Sequence, residues 1–137
     1  DPSGEVARVD VSGITPMHLF DADLPEGIAT DGTNVFAALN GSSEIAKCPL
    51  TGCIGASTTL AFAESPHGVA TDGKNVYWTN GLADGGSVAY CPIAGCPGGA
   101  AMLAPAQSNP YGIVVDDVAV YWVTSTPGGA VMKIAKP

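Results

Sequence analysis

Glu26, His67 and Tyr111 each fill the middle of a Pro-x-Gly triplet, at Pro25 to Gly27, Pro66 to Gly68 and Pro110 to Gly112. A carboxylate, an imidazole and a phenol at one recurring position are groups that bind polar ligands or cations. Asp23, Glu64 and Ser108 stand just upstream in the same register, with Asp21 and Asn109 nearby. Oxygen and imidazole donors of this kind suit a divalent cation, calcium or magnesium, with Glu26 and His67 as the ligand pair. The simpler reading is a set of exposed corners free to vary, where a lone histidine is a hydrogen-bonded surface residue. His18 is a weaker candidate.

Other chemistry is thinly represented. The chain has no Gly-x-Ser-x-Gly elbow, no phosphate loop and no His-Glu-x-x-His, and its two histidines leave little room for an acid–base triad. Asp31, Asp72 and Asp116 recur identically, but an Asx side chain bonding its own turn explains them more cheaply than catalysis. Trp78 and Trp122, with Tyr77 and Tyr121, are residues of a sugar-stacking platform, yet their fixed register favours packing. Asp21-Ala22-Asp23 has the start of a calcium loop, which Pro25 and a missing later carboxylate interrupt. Asn40-Gly41-Ser42 fits a glycosylation sequon and equally a turn.

These residues ride on a repeat. Pro25-Glu26-Gly27-Ile28-Ala29-Thr30-Asp31-Gly32 returns as Pro66-His67-Gly68-Val69-Ala70-Thr71-Asp72-Gly73, and again as Pro110-Tyr111-Gly112-Ile113-Val114-Val115-Asp116-Asp117. The spacings are 41 (66 − 25) and 44 (110 − 66) positions, a period that marks stacked sheet units. Each unit reads as four strands. Strand A runs from the glycine, as at 27–30, 68–71 and 112–115. An Asp-Gly turn, with both positions tolerant of φ > 0, leads to strand B at 35–39, 76–80 and 120–124. Strand C carries a cysteine, and strand D covers 17–20, 58–62 and 101–104. The order along the chain is C–D, A–B–C–D twice, then A–B–C, giving units at about 4–24, 25–65, 66–109 and 110–137.

Cys48-Pro49-Leu50-Thr51-Gly52-Cys53 and Cys91-Pro92-Ile93-Ala94-Gly95-Cys96 are twin settings. Proline and glycine within each loop suit a tight turn with the sulfurs facing each other, and Cys48–Cys53 and Cys91–Cys96 disulfides are expected. So short a loop contributes roughly 2 kcal/mol in the chain-entropy model. The alternative is two reduced pairs in a cytosolic protein. Val9 and Ile14 stand in the cysteine positions of the first unit, which predicts buried apolar sites there.

Composition agrees with sheet. Of 137 residues, 46% are hydrophobic and 13% charged, and 18 Gly with 11 Pro punctuate the chain too often for long helices. A net charge of −8 repels phosphate backbones and anionic membranes, so nucleic acid is not an expected partner. No apolar run reaches the length of a membrane-spanning helix. The start at Asp1-Pro2 suggests a removed signal peptide or a piece of something longer. With disulfides, that places the chain outside the cell or in the periplasm.

The Pro-x-Gly-Ile/Val-Ala-x-Asp-Gly opening and Val76-Tyr77-Trp78-Thr79-Asn80 resemble the NHL and YWTD-type repeats of secreted six-bladed β-propellers; Asn80 stands for the Asp of that signature, and Phe36-Ala37-Ala38-Leu39 departs further. The resemblance covers nearly the whole chain and implies an all-β fold with about three four-stranded antiparallel blades, half of a six-bladed ring. A homodimer closing the ring is expected, with a fragment of a longer propeller as the alternative. The resemblance also puts ligands at the channel mouth, where Glu26, His67, Tyr111, Asp23, Glu64 and Asn109 would meet a small polar ligand, a glycan or a protein. Non-enzymatic binding without a cofactor is the leading expectation. A divalent-metal-dependent hydrolase or lyase, as in gluconolactonase-like enzymes and streptogramin lyases, is the second, and a structural repeat forming extracellular multimers the third.

Overall fold

The computed structural model describes residues 3–13 and 15–137, with no helix among them and thirteen strands in four antiparallel sheets. A leading hairpin pairs β1 (Ser3–Arg8) with β2 (Met17–Asp23). Blade 1 follows in the order β3 (Pro25–Thr30), β4 (Asn34–Leu39), β5 (Glu44–Pro49) and β6 (Thr58–Phe62). Blade 2 repeats it with β7 (Pro66–Thr71), β8 (Asn75–Asn80), β9 (Gly86–Pro92) and β10 (Ala101–Gln107). Blade 3 has β11 (Pro110–Val115), β12 (Ala119–Thr124) and β13 (Val131–Ala135). The chain therefore forms part of a β-propeller, and β3, β7 and β11 lie side by side as its inner strands.

Blades 1 and 2 each hide two apolar faces by stacking. Phe36, Ala38, Ile45 and Leu60 of blade 1 pack with Val69, Val76 and Trp78 of blade 2. Ala70, Tyr77 and Val88 of blade 2 pack with Ile113, Val120 and Trp122 of blade 3. The tryptophans are thus core between blades and not an exposed platform. The hairpin covers the other face of blade 1, where Phe20 and Leu19 meet Val35, Ala37 and Ala46. Phe20 on the hairpin faces a small Ala37 on strand B, whereas small Ala61 faces Trp78 at the next interface, so bulk changes sides while both contacts stay filled.

Asp31, Asp72 and Asp116 each close an Asx turn. Their Oδ1 atoms accept the amides two and three residues on, at 2.9 and 2.7 Å for Asp31, 3.0 and 2.9 Å for Asp72, and 2.9 and 2.8 Å for Asp116. The glycines of these turns take the left-handed region, Gly32 at φ 89° and Gly73 at φ 86°, while the aspartates stay outside it. The aspartate uses its side chain to cap the turn and keeps ordinary backbone.

Both disulfides form, with Cα atoms 5.5 and 5.6 Å apart, and Cys48 and Cys91 are fully buried. Inside each loop Gly52 and Gly95 donate to the carbonyls of Pro49 and Pro92. Val9 departs from expectation: it is 54% exposed. Cys48 and Cys91 lie opposite Val35 and Val76 of their own strand B, whereas among the described residues the leading sheet consists of β1 and β2 alone. Ile14 lies outside the described residues.

Candidate functional site

The D–A corners set the rim. Leu24, Ser65 and Asn109 precede the three prolines with φ of 48°, 49° and 45°, a strained turn for residues bearing a Cβ. Their carbonyls accept the amides of Asn40, Gly81 and Ser125 from the adjacent B–C loops, so the corner and that loop share one end of the propeller. The repeated backbone bond holds every Pro-x-Gly in one orientation.

The glycines of the triplet bring neighbouring blades together. A Cβ on Gly27 would strike the carbonyl of His67, and one on Gly68 would strike the carbonyl of Tyr111. Thr79 completes the junction: its hydroxyl donates to the Tyr111 carbonyl at 2.6 Å and accepts from the Gly68 amide at 2.9 Å. Strand A can approach strand A this closely only without side chains at those points.

Side chains that are about forty residues apart in sequence therefore touch. The His67 ring stacks on Tyr111 with centroids 4.1 Å apart and planes 19° from parallel. Its Nδ1 faces Glu26 Oε2 at 3.8 Å, is itself buried and has no hydrogen-bond partner. The imidazole is only 12% exposed, while Glu26 and Tyr111 remain open to solvent. Gly81 allows this, since any Cβ there would overlap the imidazole. Asn109 sits beside Gly81 and donates from Nδ2 to Ser125 Oγ at 2.7 Å.

The remaining candidates lie apart from this triad. Asp23 presses its carboxylate against Gly41 of the blade 1 B–C loop, and Glu64 is exposed at the next corner. Asp21 bonds His18 Nε2 at 3.0 Å on the outer strand β2. Asn40 donates to Ser65 Oγ and the Pro66 carbonyl across to blade 2, so its amide is engaged in packing. Gly41 and Gly81, which make room for the rim side chains, carried no signal beyond their place in a turn.

Glu26 and His67 supply two donors, and among the described residues no three His, Cys, Asp or Glu side chains converge. To hold a hard cation the pair would have to be completed by main-chain carbonyls or water. Two clefts, of about 590 and 580 Å³, lie at the outer edge, between β6 and the 94–100 loop and between β2 and the 51–57 loop. They contain none of the rim triad.

No protein-family model matches the chain, and no curated protein matches it in sequence. Solved structures do. The crystal structure of a nidogen/laminin complex superposes with a TM-score of 0.80 at 20% identity, over 98% of this chain and 55% of that one. A gluconolactonase from Xanthomonas campestris gives 0.70 at 17%, over 96% and 44%. A catalytically inactive virginiamycin B lyase from Staphylococcus aureus with quinupristin gives 0.64 at 17%, over 97% and 49%. The chain spans about half the length of these structures. Identities this low establish fold and not activity, and the fold is that of a β-propeller.

Proposed function

We propose that the chain is a non-enzymatic binding module that takes a polar ligand, or an exposed segment of a glycan or protein, at the channel mouth. One observation carries this reading. The framework repeats from blade to blade, while the three side chains it sets next to one another, Glu26, His67 and Tyr111, differ in chemistry. A repeat that served packing alone would have no need for a buried, unbonded imidazole nitrogen at that point.

Charge supports a cationic or polyol ligand. Glu5, Asp21, Asp23, Glu26, Glu64 and Asp84 lie towards the mouth, while the chain's five basic residues, Arg8, Lys47, Lys74, Lys133 and Lys136, lie towards the opposite end. Such a surface draws in positive groups. Likeness to the nidogen/laminin structure favours a protein partner, and a second copy completing the ring is the homomeric version of it. Two disulfides favour an extracellular or periplasmic setting, and no helix of the described residues is long and apolar enough to cross a membrane.

The test is calorimetry with an arginine-rich peptide and with a neutral oligosaccharide. Binding of either that weakens about tenfold or more in both Glu26→Ala and His67→Ala supports the reading. Binding indifferent to both substitutions, or none at millimolar probe, removes it. The likeness to the lactonase and the lyase favours a second reading, hydrolase or lyase chemistry at the same mouth. Turnover of a lactone, ester or cyclic depsipeptide that is lost in His67→Ala would establish that reading instead.

A further inference from the structure

The two junctions between blades of this chain differ at one polar contact. Where blade 1 meets blade 2, Asn40 of the B–C loop reaches the next corner and donates from Nδ2 to Ser65 Oγ at 3.3 Å and to the Pro66 carbonyl at 3.4 Å. Where blade 2 meets blade 3, Gly81 stands in the place of Asn40 and Asn109 in the place of Ser65. The repeated backbone bonds fix that equivalence: Asn40, Gly81 and Ser125 donate to the carbonyls of Leu24, Ser65 and Asn109. Gly81 has no side chain to give, so the second junction lacks the donor that the first draws from its own loop.

Acceptors gather where that donor is missing. A Cβ on Gly81 would overlap the imidazole of His67 at Cδ2 and Nε2 and would lie 3.2 Å from Asn109 Oδ1, so Nε2 and Oδ1 border one small space. Asn109 spends its Nδ2 on Ser125 Oγ at 2.7 Å, which leaves the oxygen turned to that space. On the ring, Nδ1 is buried and faces the Glu26 carboxylate at 3.8 Å. A carboxylate only accepts, so in the neutral imidazole it favours the tautomer with the proton on Nδ1, and Nε2 becomes an acceptor too. Stacking on Tyr111, with centroids 4.1 Å apart, holds the ring plane. The charge nearby is negative: Glu26 flanks the ring, Glu64 precedes the Ser65 corner, and Asp84 lies in the same loop as Gly81.

We propose that this space takes a primary ammonium group, of the kind a lysine side chain carries, which donates one N–H to His67 Nε2 and another to Asn109 Oδ1. The ligand then supplies at the second junction what the Asn40 amide supplies at the first, an inference that rests on the binding reading above and narrows it. An ammonium has three donors and no acceptor, which suits a site of acceptors alone. A guanidinium is recognised best by the paired oxygens of one carboxylate, whereas these acceptors belong to two separate side chains. A polyol brings no charge to an acidic rim. Glu26 is a positioning residue here: it sets the tautomer of His67 and adds negative charge.

Calorimetry of the full chain with a glycine-rich peptide carrying one lysine, and with its Nε-trimethylated and arginine forms, tests this. Trimethylation keeps the charge and removes every N–H of the ammonium. The lysine peptide is expected to bind, and to weaken about tenfold or more both on trimethylation and in Asn109→Leu. Leucine suits the backbone there, since Leu24 holds the same corner position with φ 48°. Asn109→Asp keeps an oxygen acceptor and should retain binding. Nitrogen-15 NMR of the histidines in the unliganded chain reads the ring directly: the Nδ1–H tautomer is expected for His67, with that preference lost in Glu26→Ala. Circular dichroism of each variant confirms the sheet. Equal binding of the lysine and trimethyl-lysine peptides, tighter binding of the arginine form, binding indifferent to Asn109→Leu, or a neutral ring protonated at Nε2 overturns the proposal. If the arginine-rich peptide or the oligosaccharide binds with the dependence on Glu26 and His67 given above while the lysine peptide does not, the ammonium site falls and the binding reading stands. No binding of any probe at millimolar concentration removes both.

Discussion

Thr79 Oγ1 donates to the carbonyl of Tyr111 across 2.6 Å, linking the second strand of one blade to the first strand of the next. The same oxygen accepts the Gly68 amide, so one fully buried hydroxyl satisfies two backbone groups that sheet pairing leaves over. Ala38 stands in this position on blade 1 and Val123 on blade 3.

Replacing Thr79 by Val keeps the shape and leaves both backbone groups unpaired in a dry interface. The expected cost is about 1–3 kcal/mol, read as a lower urea midpoint, with Thr79→Ser recovering most of it. A Val variant as stable as the parent would show that the bond contributes nothing.

Gly68→Ala and Gly112→Ala change the same repeat position in opposite surroundings. The first drives a methyl into the Tyr111 carbonyl and should lower stability by about 1–3 kcal/mol. The second has room, and for the isolated chain its effect should stay within about 0.5 kcal/mol. Thermal unfolding at low protein concentration measures both, and equal losses would contradict the close approach of β7 and β11.

Trp122 Nε1 donates to Gln107 Oε1 at 3.0 Å, while Trp78 Nε1 is buried without a partner because Ala63 occupies the Gln107 position of the preceding blade. Gln107→Leu should cost about 1–3 kcal/mol and shift the indole emission, since it orphans a second buried donor. Unchanged emission and midpoint would argue that Gln107 is not the partner in solution.

Asp72 couples stability to pH. Burial raises its carboxyl pKa, but the amides of Asn75 and Lys74, the Lys136 ammonium and the Tyr77 hydroxyl outweigh that and bring it from 3.8 to about 2. A folded value below the unfolded one stabilises the fold above about pH 4, and the contribution is lost as pH falls from there towards about 2. Allowing for solvent screening, about 1–2 kcal/mol is at stake. Asp72→Asn should flatten the stability profile over that interval, and a profile identical to the parent would refute the assignment.

Reduction of both disulfides should lower the melting temperature modestly and leave the sheet spectrum intact, because each bond closes a loop with a separation of five residues. Titration of the native chain releasing four reactive thiols would remove the bonds from the account.

Strand order, the Asx turns and both disulfide loops were legible in the sequence because each depends on neighbours a few residues away. Runs of β-branched and aromatic residues between turns, an aspartate two and three residues before the amides it caps, and a Pro-x-x-Gly turn between cysteines are local patterns that recur. The variable corner residues were legible as a set for the same reason. Only the tertiary structure decided that His67 stacks on Tyr111 and faces Glu26, that Gly81 makes room for its ring, that Trp122 has a partner and Trp78 has none, and that Val9 is exposed. Those outcomes depend on which blade lies alongside, and identical repeat positions acquire different surroundings at the end of an arc than within it.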